Sequence, residues 1–450
     1  MREFETLKGT FEYLPDKQIL RERIKQILQS TFIKYGFAPV ETPIVCMYDL
    51  LSSKYSEGAD ILEELYTLSD RGKRKLGLRY DLTVAFCKLI SSNKSIALPF
   101  KRYEIGKVFR DGPVRTGRNR EFTQCDVDLV GTKSMLAEAE YMQMISEAYR
   151  NLDLDIVIKF NNRKLLSGII SCVKSDMAEE DIKRCIMIID KFAKLPEKEL
   201  KEQFSDCGLS DEQYAKLRIL LSSDFKGLCD SLSSCTQLSG AGKEGIKEIS
   251  ELYSFMEGAP AIECMEFAPY LARGIDIYTG TVWEVYLRDG IVRSGSEAID
   301  FTHTSIGGGG RYDSIITSFI DDGNEYPAVG MTFGLDVIYE ILKRRSVQKE
   351  NSFIDLFIIP MDTEKESFIL ASNLRLLGVK VEIEKVKRKV KKSMEFANKS
   401  GVPYVCVLGK DECEKNSVNV KDMDSGVQQS FGLFDYEGLK QFIVRQADLH

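Results

Sequence analysis

Histidine is scarce in this 450-residue sequence, occurring only as His303 and His450. Catalytic triads that rely on a histidine base, and metal centres built from imidazoles, are thereby nearly excluded. The eleven cysteines include no C-x-x-C pair, and several lie in apolar settings such as Ile44–Cys46 and Val405–Val407. That pattern reads as reduced core thiols, with neither a disulfide framework nor a zinc site. No apolar run is long enough to span a bilayer, and the charged opening MREFETLKGTFEYLP lacks the apolar centre of a signal peptide. A cytoplasmic protein is expected. A net charge of −7 and a pI near 5.4 exclude a generally basic surface, so any RNA contact has to be local. Glycine-based nucleotide motifs fail as well. The segment SGAGK at Ser239–Lys243 has Gln237 where a phosphate loop needs its first glycine and Glu244 where it needs a hydroxyl, and no G-x-G-x-x-G follows a strand.

What is present is ordinary globular composition, 43% hydrophobic and 29% charged, in a chain long enough for two or three domains. Its chemistry must rest on arginine, carboxylates and backbone. These concentrate in Lys101–Gly131 (KRYEIGKVFRDGPVRTGRNREFTQCDVDLVG). Tyr103, Ile105 and Phe109 fall on one face of an extended segment and Arg102, Glu104 and Arg110 on the other. A loop rich in turn residues follows, carrying Arg115, Arg118 and Arg120. From Glu121 to Val130 the alternation resumes, with Phe122, Gln124, Asp126 and Asp128 sharing a face. Guanidinium groups at the loop end suit phosphate oxygens. The ring, amide and carboxylates suit a base and a small zwitterion. A solvated, arginine-rich hairpin is the alternative.

Along the chain, residues 16–35 predict an amphipathic helix and Gly36–Pro43 a short extended segment. In Leu76–Lys88, Arg79, Asp81 and Thr83 alternate. Asp81 and Thr83 then form a clamp for an ammonium group, or else a strand end runs into a helix that Asp81 caps. Helix signals at Ser134–Asn151 precede a strand at Asp155–Phe160. From about 166 to 256 the sequence is helix-forming without strand alternation and reads as an insertion. Strand character returns at Leu271–Tyr286 (LARGIDIYTGTVWEVY). It is followed by GGGGRYD at Gly307–Asp313, where glycine permits close backbone approach or a flexible loop, and by Ala328–Leu342 as a strand entering a helix at Gly334. After a polar linker at 343–351, strands at 353–360, 379–383, 404–408 and 417–420 interleave with helices at 365–376, 390–399 and 435–445, the grammar of a separate α/β domain. Its run KVKRKVKK (385–392) holds six cations.

The motifs resemble those of the histidyl-tRNA synthetase family within class II aminoacyl-tRNA synthetases. Phe109–Arg110, Gly117–Phe122 and Gln124–Asp128 stand in register with its motif 2, LRYDLT at Leu78–Thr83 with its amino-group element, and Gly36–Pro43 with motif 1, which forms the family's dimer interface. LARGIDIYTGTVWE and GGRYD match its two histidine signatures, and Ala328–Leu342 matches motif 3. Two positions depart: Ile277 replaces the first of paired tyrosines, and Val337 stands where an arginine binds the γ-phosphate end, a role for which Arg115 or Arg311 is the nearby cation. The resemblance implies an α+β fold: an antiparallel sheet flanked by helices over residues 1–345, with the helical insertion at about 166–256, and an anticodon-binding α/β domain over 353–450. It implies a homodimeric ligase that activates L-histidine with ATP and Mg²⁺ and passes it to the 3′ end of tRNA(His). It further implies Arg110, Arg118 and Phe122 for ATP, and Asp81, Thr83 and Gln124 for the ammonium. Asp128, Tyr278 and Tyr312 would shape the imidazole pocket, and Arg273 would act with Arg110 at the α-phosphate. No protein-held metal is implied. The family's non-charging relative, the histidine-binding regulatory subunit of ATP phosphoribosyltransferase, remains the alternative.

Overall fold

The computed structural model describes residues 4–53, 60–93, 95–114, 118–192, 195–273, 277–294, 297–345 and 352–445. Arg115 and Gly117 of the hairpin loop, 274–276 of the first histidine signature, 346–351 of the linker and His450 lie outside them. The chain forms two compact units, residues 1–12 with 21–345 and residues 13–20 with 346–450.

The first unit is built on an eight-stranded sheet. In chain order its strands are β1 (Ala38–Pro39), β2 (Phe100–Phe109), β3 (Glu121–Val130), β4 (Ile156–Asn162), β5 (Met265–Phe267), β6 (Thr281–Leu287), β7 (Gly307–Arg311) and β8 (Ala328–Gly334). They lie side by side as β1-β2-β3-β8-β7-β6-β4-β5. The six inner strands pair antiparallel, as expected; the two edge strands β1 and β5 pair parallel. The glycine run, which also fits a loop by sequence, is a central strand.

Period-two alternation gives this sheet two unlike faces. One presents Val127, Trp283 and Phe333, all at 0% exposure, to the helices Pro15–Lys34 and Leu136–Asn151. Phe32 and Tyr149 bring their rings within 5.3 and 5.4 Å of Phe333, and Tyr141 lies 5.7 Å from Trp283. Aromatic stacking of this kind adds to the area term that drives the core together. The buried Asp336 at the start of the helix Leu335–Arg345 accepts from Arg21 and from the Thr123 N–H, locking that helix to β3.

Among the described residues six helices, from Arg163–Val173 to Gly240–Met256, follow β4, where the sequence predicts helix without strands. Here the SGAGK segment has a structural explanation: the Ser239 hydroxyl caps the last helix by accepting from the Gly242 N–H at 3.1 Å. Gly242 also lets the helix Arg163–Val173 approach so closely that a Cβ there would meet the Gly168 Cα at 2.7 Å. One expectation is overturned in the same place. Cys172 and Cys235 form a disulfide, because that helix packing brings their Cα atoms to 6.1 Å; the other nine cysteines are free.

Two smaller sheets complete this unit. Val45–Met47, Lys75–Leu78 and Thr67–Ser69 form one, and the hairpin Ile291–Ser294 with Glu297–Asp300, which the sequence did not signal, forms the other. In the second unit Val381–Ile383, Leu356–Pro360 and Tyr404–Leu408 pair parallel. Ser417–Asp422 and the unforeseen Gln428–Gly432 extend the sheet antiparallel. Its helices Glu364–Leu376, Val390–Lys399 and Tyr436–Arg445 fall within one residue of expectation.

Candidate functional site

The second face of the large sheet is polar and nonetheless buried. Arg102 and Glu104 on β2, read by alternation as a polar face, are 0% and 2% exposed, and Asp126 and Asp128 beside them are 4% and 3%. Charges so far from water need partners. Arg102 reaches Asp128 at 2.6 Å and Glu104 at 3.5 Å, and Glu104 also meets Arg79 at 2.8 Å. Arg79 additionally donates to the carbonyls of Thr42 and Lys107.

Glycine makes room for these side chains. A Cβ on Gly330 would collide with the Asp128 carboxylate, one on Gly308 with the Arg273 guanidinium, and one on Gly106 with that of Arg79. The glycines of β7 and β8 therefore let functional side chains lie flat on the sheet. Arg273 runs over Gly308, 3.9 Å from Glu284, with its guanidinium carbon 5.5 Å from the Tyr278 ring centre. Tyr278 in turn lies over Gly310.

The remaining predicted residues surround this floor. Arg110 follows β2, donates its Nε to the Tyr80 carbonyl at 3.1 Å and holds its guanidinium 5.0 Å from the Phe122 ring. Arg118 pairs with Glu64. Asp81 and Thr83 do not continue a strand: Lys75–Leu78 has ended and the helix Thr83–Ser92 begins, its Val84 N–H donating to Asp81 at 3.0 Å. The capping alternative thus describes the backbone, and the Asp81 carboxyl is buried against the helix start. Tyr312 donates its hydroxyl to Asp128. Gln124 donates to the Thr332 hydroxyl at 3.3 Å, and its own carbonyl oxygen is buried without a hydrogen-bond partner.

Ile277, partly buried, packs on the apolar cluster of Phe86, Ile315 and Ile316. Arg311 is not a spare cation for the Val337 end: it is 2% exposed and holds Glu138 through two bonds of 2.6 and 2.8 Å.

Asp126 has no role assigned by motif, though it shares the face of Gln124 and Asp128 by period two. Burial pushes its carboxyl up to about 7, with Asp128 adding to the rise and Arg102 opposing it. Burial raises Asp128 too, against the pull of Arg102 and the Tyr312 hydroxyl. Paired, displaced carboxylates beside flat-lying arginines make this face a candidate ligand floor.

A profile described as histidyl-tRNA synthetase matches residues 9–338, and an anticodon-binding-domain profile matches 355–441. The chain belongs to the histidyl-tRNA synthetase family. It is 42% identical over 435 residues to histidine–tRNA ligase 1 of Bacillus cereus (strain ATCC 10987 / NRS 248), covering 94% of each chain. The histidyl-tRNA synthetase from Nostoc sp. PCC 7120 superposes with a TM-score of 0.84 at 28% identity, over 99% of this chain and 100% of that one. The ATP phosphoribosyltransferase regulatory subunit/histidyl-tRNA synthetase from Bacillus halodurans C shares the fold at TM-score 0.74 and 21% identity, over 91% of this chain and 99% of that one.

Proposed function

We propose that this chain is a histidine–tRNA ligase that joins L-histidine to ATP as an adenylate and then esterifies the 3′ end of tRNA(His). The buried polar floor with Arg273 laid over Gly308 is the observation that carries this reading. The histidine carboxylate, already ionised, attacks the α-phosphate in line, and pyrophosphate leaves. No general base is required, so catalysis is positioning and charge stabilisation. Arg110 and Arg273 meet the charge at the α-phosphate, Arg118 the outer phosphates, and Phe122 stacks on adenine. Asp81, Thr83 and Gln124 hold the ammonium; Asp128, Tyr278 and Tyr312 shape the ring pocket. Among the described residues no cluster of three carboxylates, thiols or imidazoles is arranged for a metal. In this reading Mg²⁺ accompanies the ATP phosphates.

Residues 1–345 serve as the catalytic domain and 353–450 as the anticodon-binding domain. The exposed Lys389, Lys391 and Lys392 at the start of the helix Val390–Lys399 offer phosphate contacts to tRNA. A homodimer is favoured by the outer face of the sheet 45–47/75–78/67–69, where Val45, Met47 and Leu68 are 49%, 47% and 42% exposed. The cytoplasm, where tRNA is charged, is its expected compartment.

The test is aminoacylation: the purified protein with ATP, Mg²⁺ and tRNA should attach labelled histidine, and no other amino acid, to tRNA(His). Histidine binding without any charging would shift the reading to the regulatory relative.

A further inference from the structure

Two polar residues of β6 carry no substrate contact in the synthetase reading. Period two puts Glu284 and Tyr286 on the polar side of that strand, opposite the apolar face that holds Trp283 and Val285. Register fixes what they stand beside. Glu284 pairs across the sheet with Gly308 on β7, the glycine beneath Arg273, and with Lys159 on β4. The Arg273 guanidinium is thus flanked by β6, 3.5 Å from the Trp283 carbonyl and 3.9 Å from the Glu284 carboxylate.

The other carboxylate oxygen of Glu284 accepts the Tyr286 hydroxyl. Burial pushes that hydroxyl's pKa up and the carboxylate adds to the rise, so Tyr286 stays a donor. Lys159, although it faces Glu284 across β4, is engaged elsewhere: its ammonium donates to the Tyr270 hydroxyl at 3.1 Å and lies 3.4 Å from Glu266. Contacts therefore run from Tyr286 through Glu284 to Arg273. The last link is loose, since a charge-assisted N–H···O bond closes to about 2.7–2.9 Å. Glu284 orients the guanidinium by charge and leaves its donors for an anionic ligand. A two-point bond such as the one that fastens Arg311 to Glu138 would occupy those donors instead.

We propose that Glu284, held by Tyr286, is a positioning residue for Arg273: it aims the guanidinium at the α-phosphate during adenylate formation and touches neither substrate itself. This step rests on the synthetase reading, in which Arg273 meets the charge at the α-phosphate. A residue that only packs β6 or balances charge would alter stability or binding whatever stands at position 273. One that acts through Arg273 alters the rate only while Arg273 is present.

The test is a double-mutant cycle on the whole protein. Glu284→Gln keeps the shape and removes the charge. Its kcat in histidine-dependent pyrophosphate exchange should fall about tenfold to a hundredfold, the scale of a misplaced donor, with KM for histidine and for ATP within about threefold of the parent. Tyr286→Phe, which frees the carboxylate, should show the same pattern at about threefold to tenfold; it judges the proposal should Glu284→Gln fail to fold, which the melting temperature reports. In an Arg273→Ala background either substitution should cost no more than about twofold. Calorimetry with histidyl-sulfamoyl adenosine, a non-reacting adenylate analogue whose sulfamate stands in for the α-phosphate, reads the same cycle without turnover. Glu284→Gln should weaken this analogue about tenfold when Arg273 is present and not when it is absent. Equal losses in both backgrounds overturn the proposal, as does a Glu284→Gln protein of parental rate or one whose loss lies in KM. A parent that binds the analogue without exchange refutes the ligase reading, while the analogue cycle still judges Glu284.

Discussion

The two faces of the eight-stranded sheet are equally dry and serve opposite purposes. On one, Val127, Trp283 and Phe333 are sealed by helix side chains; on the other, Arg102, Glu104, Asp126 and Asp128 are just as inaccessible. The apolar face gains free energy from burial itself. The charged face gains little, because the desolvation of each ion offsets most of its pairing energy. A protein that keeps such a face at its centre holds it for what it binds, and the glycines of β7 and β8 show the accommodation made for it.

Substitutions can break this contrast. The largest effect is expected where either face loses a central group. Trp283→Ala should cost about 3–5 kcal/mol of stability through the cavity it leaves, seen as a lower denaturation midpoint. Arg102→Ala should cost about the same, roughly 3–5 kcal/mol, by leaving Asp128 and Glu104 uncompensated. The faces then differ in repair. Replacing Arg102 and Asp128 together with apolar residues of similar volume should recover much of the stability while histidine binding stays lost. No apolar substitution pair that restores packing at Trp283 should harm histidine binding in that way.

Next in size is Arg273→Ala. Its guanidinium lies on the sheet with one loose ion pair among the described residues, 3.9 Å from Glu284. Stability should therefore change little. Histidine-dependent exchange should fall about a hundredfold to a thousandfold, roughly 3–4 kcal/mol of transition-state stabilisation, with ATP affinity within about tenfold of the parent.

The smallest effect is a slope. Because burial lifts the Asp126 carboxyl to about 7, the folded protein binds its proton more tightly than the unfolded chain does. Asp126 therefore contributes stability at acidic pH that is lost as pH rises through about 7. Denaturation midpoints measured from about pH 5 to about pH 8 should fall across that window more steeply in the parent than in Asp126→Asn.

Much of this arrangement was legible in residue order. Alternation located β2, β3 and β8, and period two placed Phe122, Gln124, Asp126 and Asp128 together. What alternation cannot tell is whether a polar face meets water. The burial of Arg102 and Glu104 on the polar face owes to Arg79, Leu82 and Phe86, which arrive from another segment. The same limit hid the roles of Thr332 and Arg311, whose partners lie across strands or on another helix. The Cys172–Cys235 bond was missed because its half-bonds are 63 residues apart and are joined only by helix packing. Gln428–Gly432 is a mostly exposed edge strand in which only Phe431 packs on the core, so no alternating buried face marks it in the sequence.

The most direct test of the polar face as a catalytic floor is pyrophosphate exchange by the unmodified protein. Labelled pyrophosphate should enter ATP when L-histidine is present and not when it is withheld, with no tRNA required. Saturable histidine binding accompanied by no exchange would contradict the account.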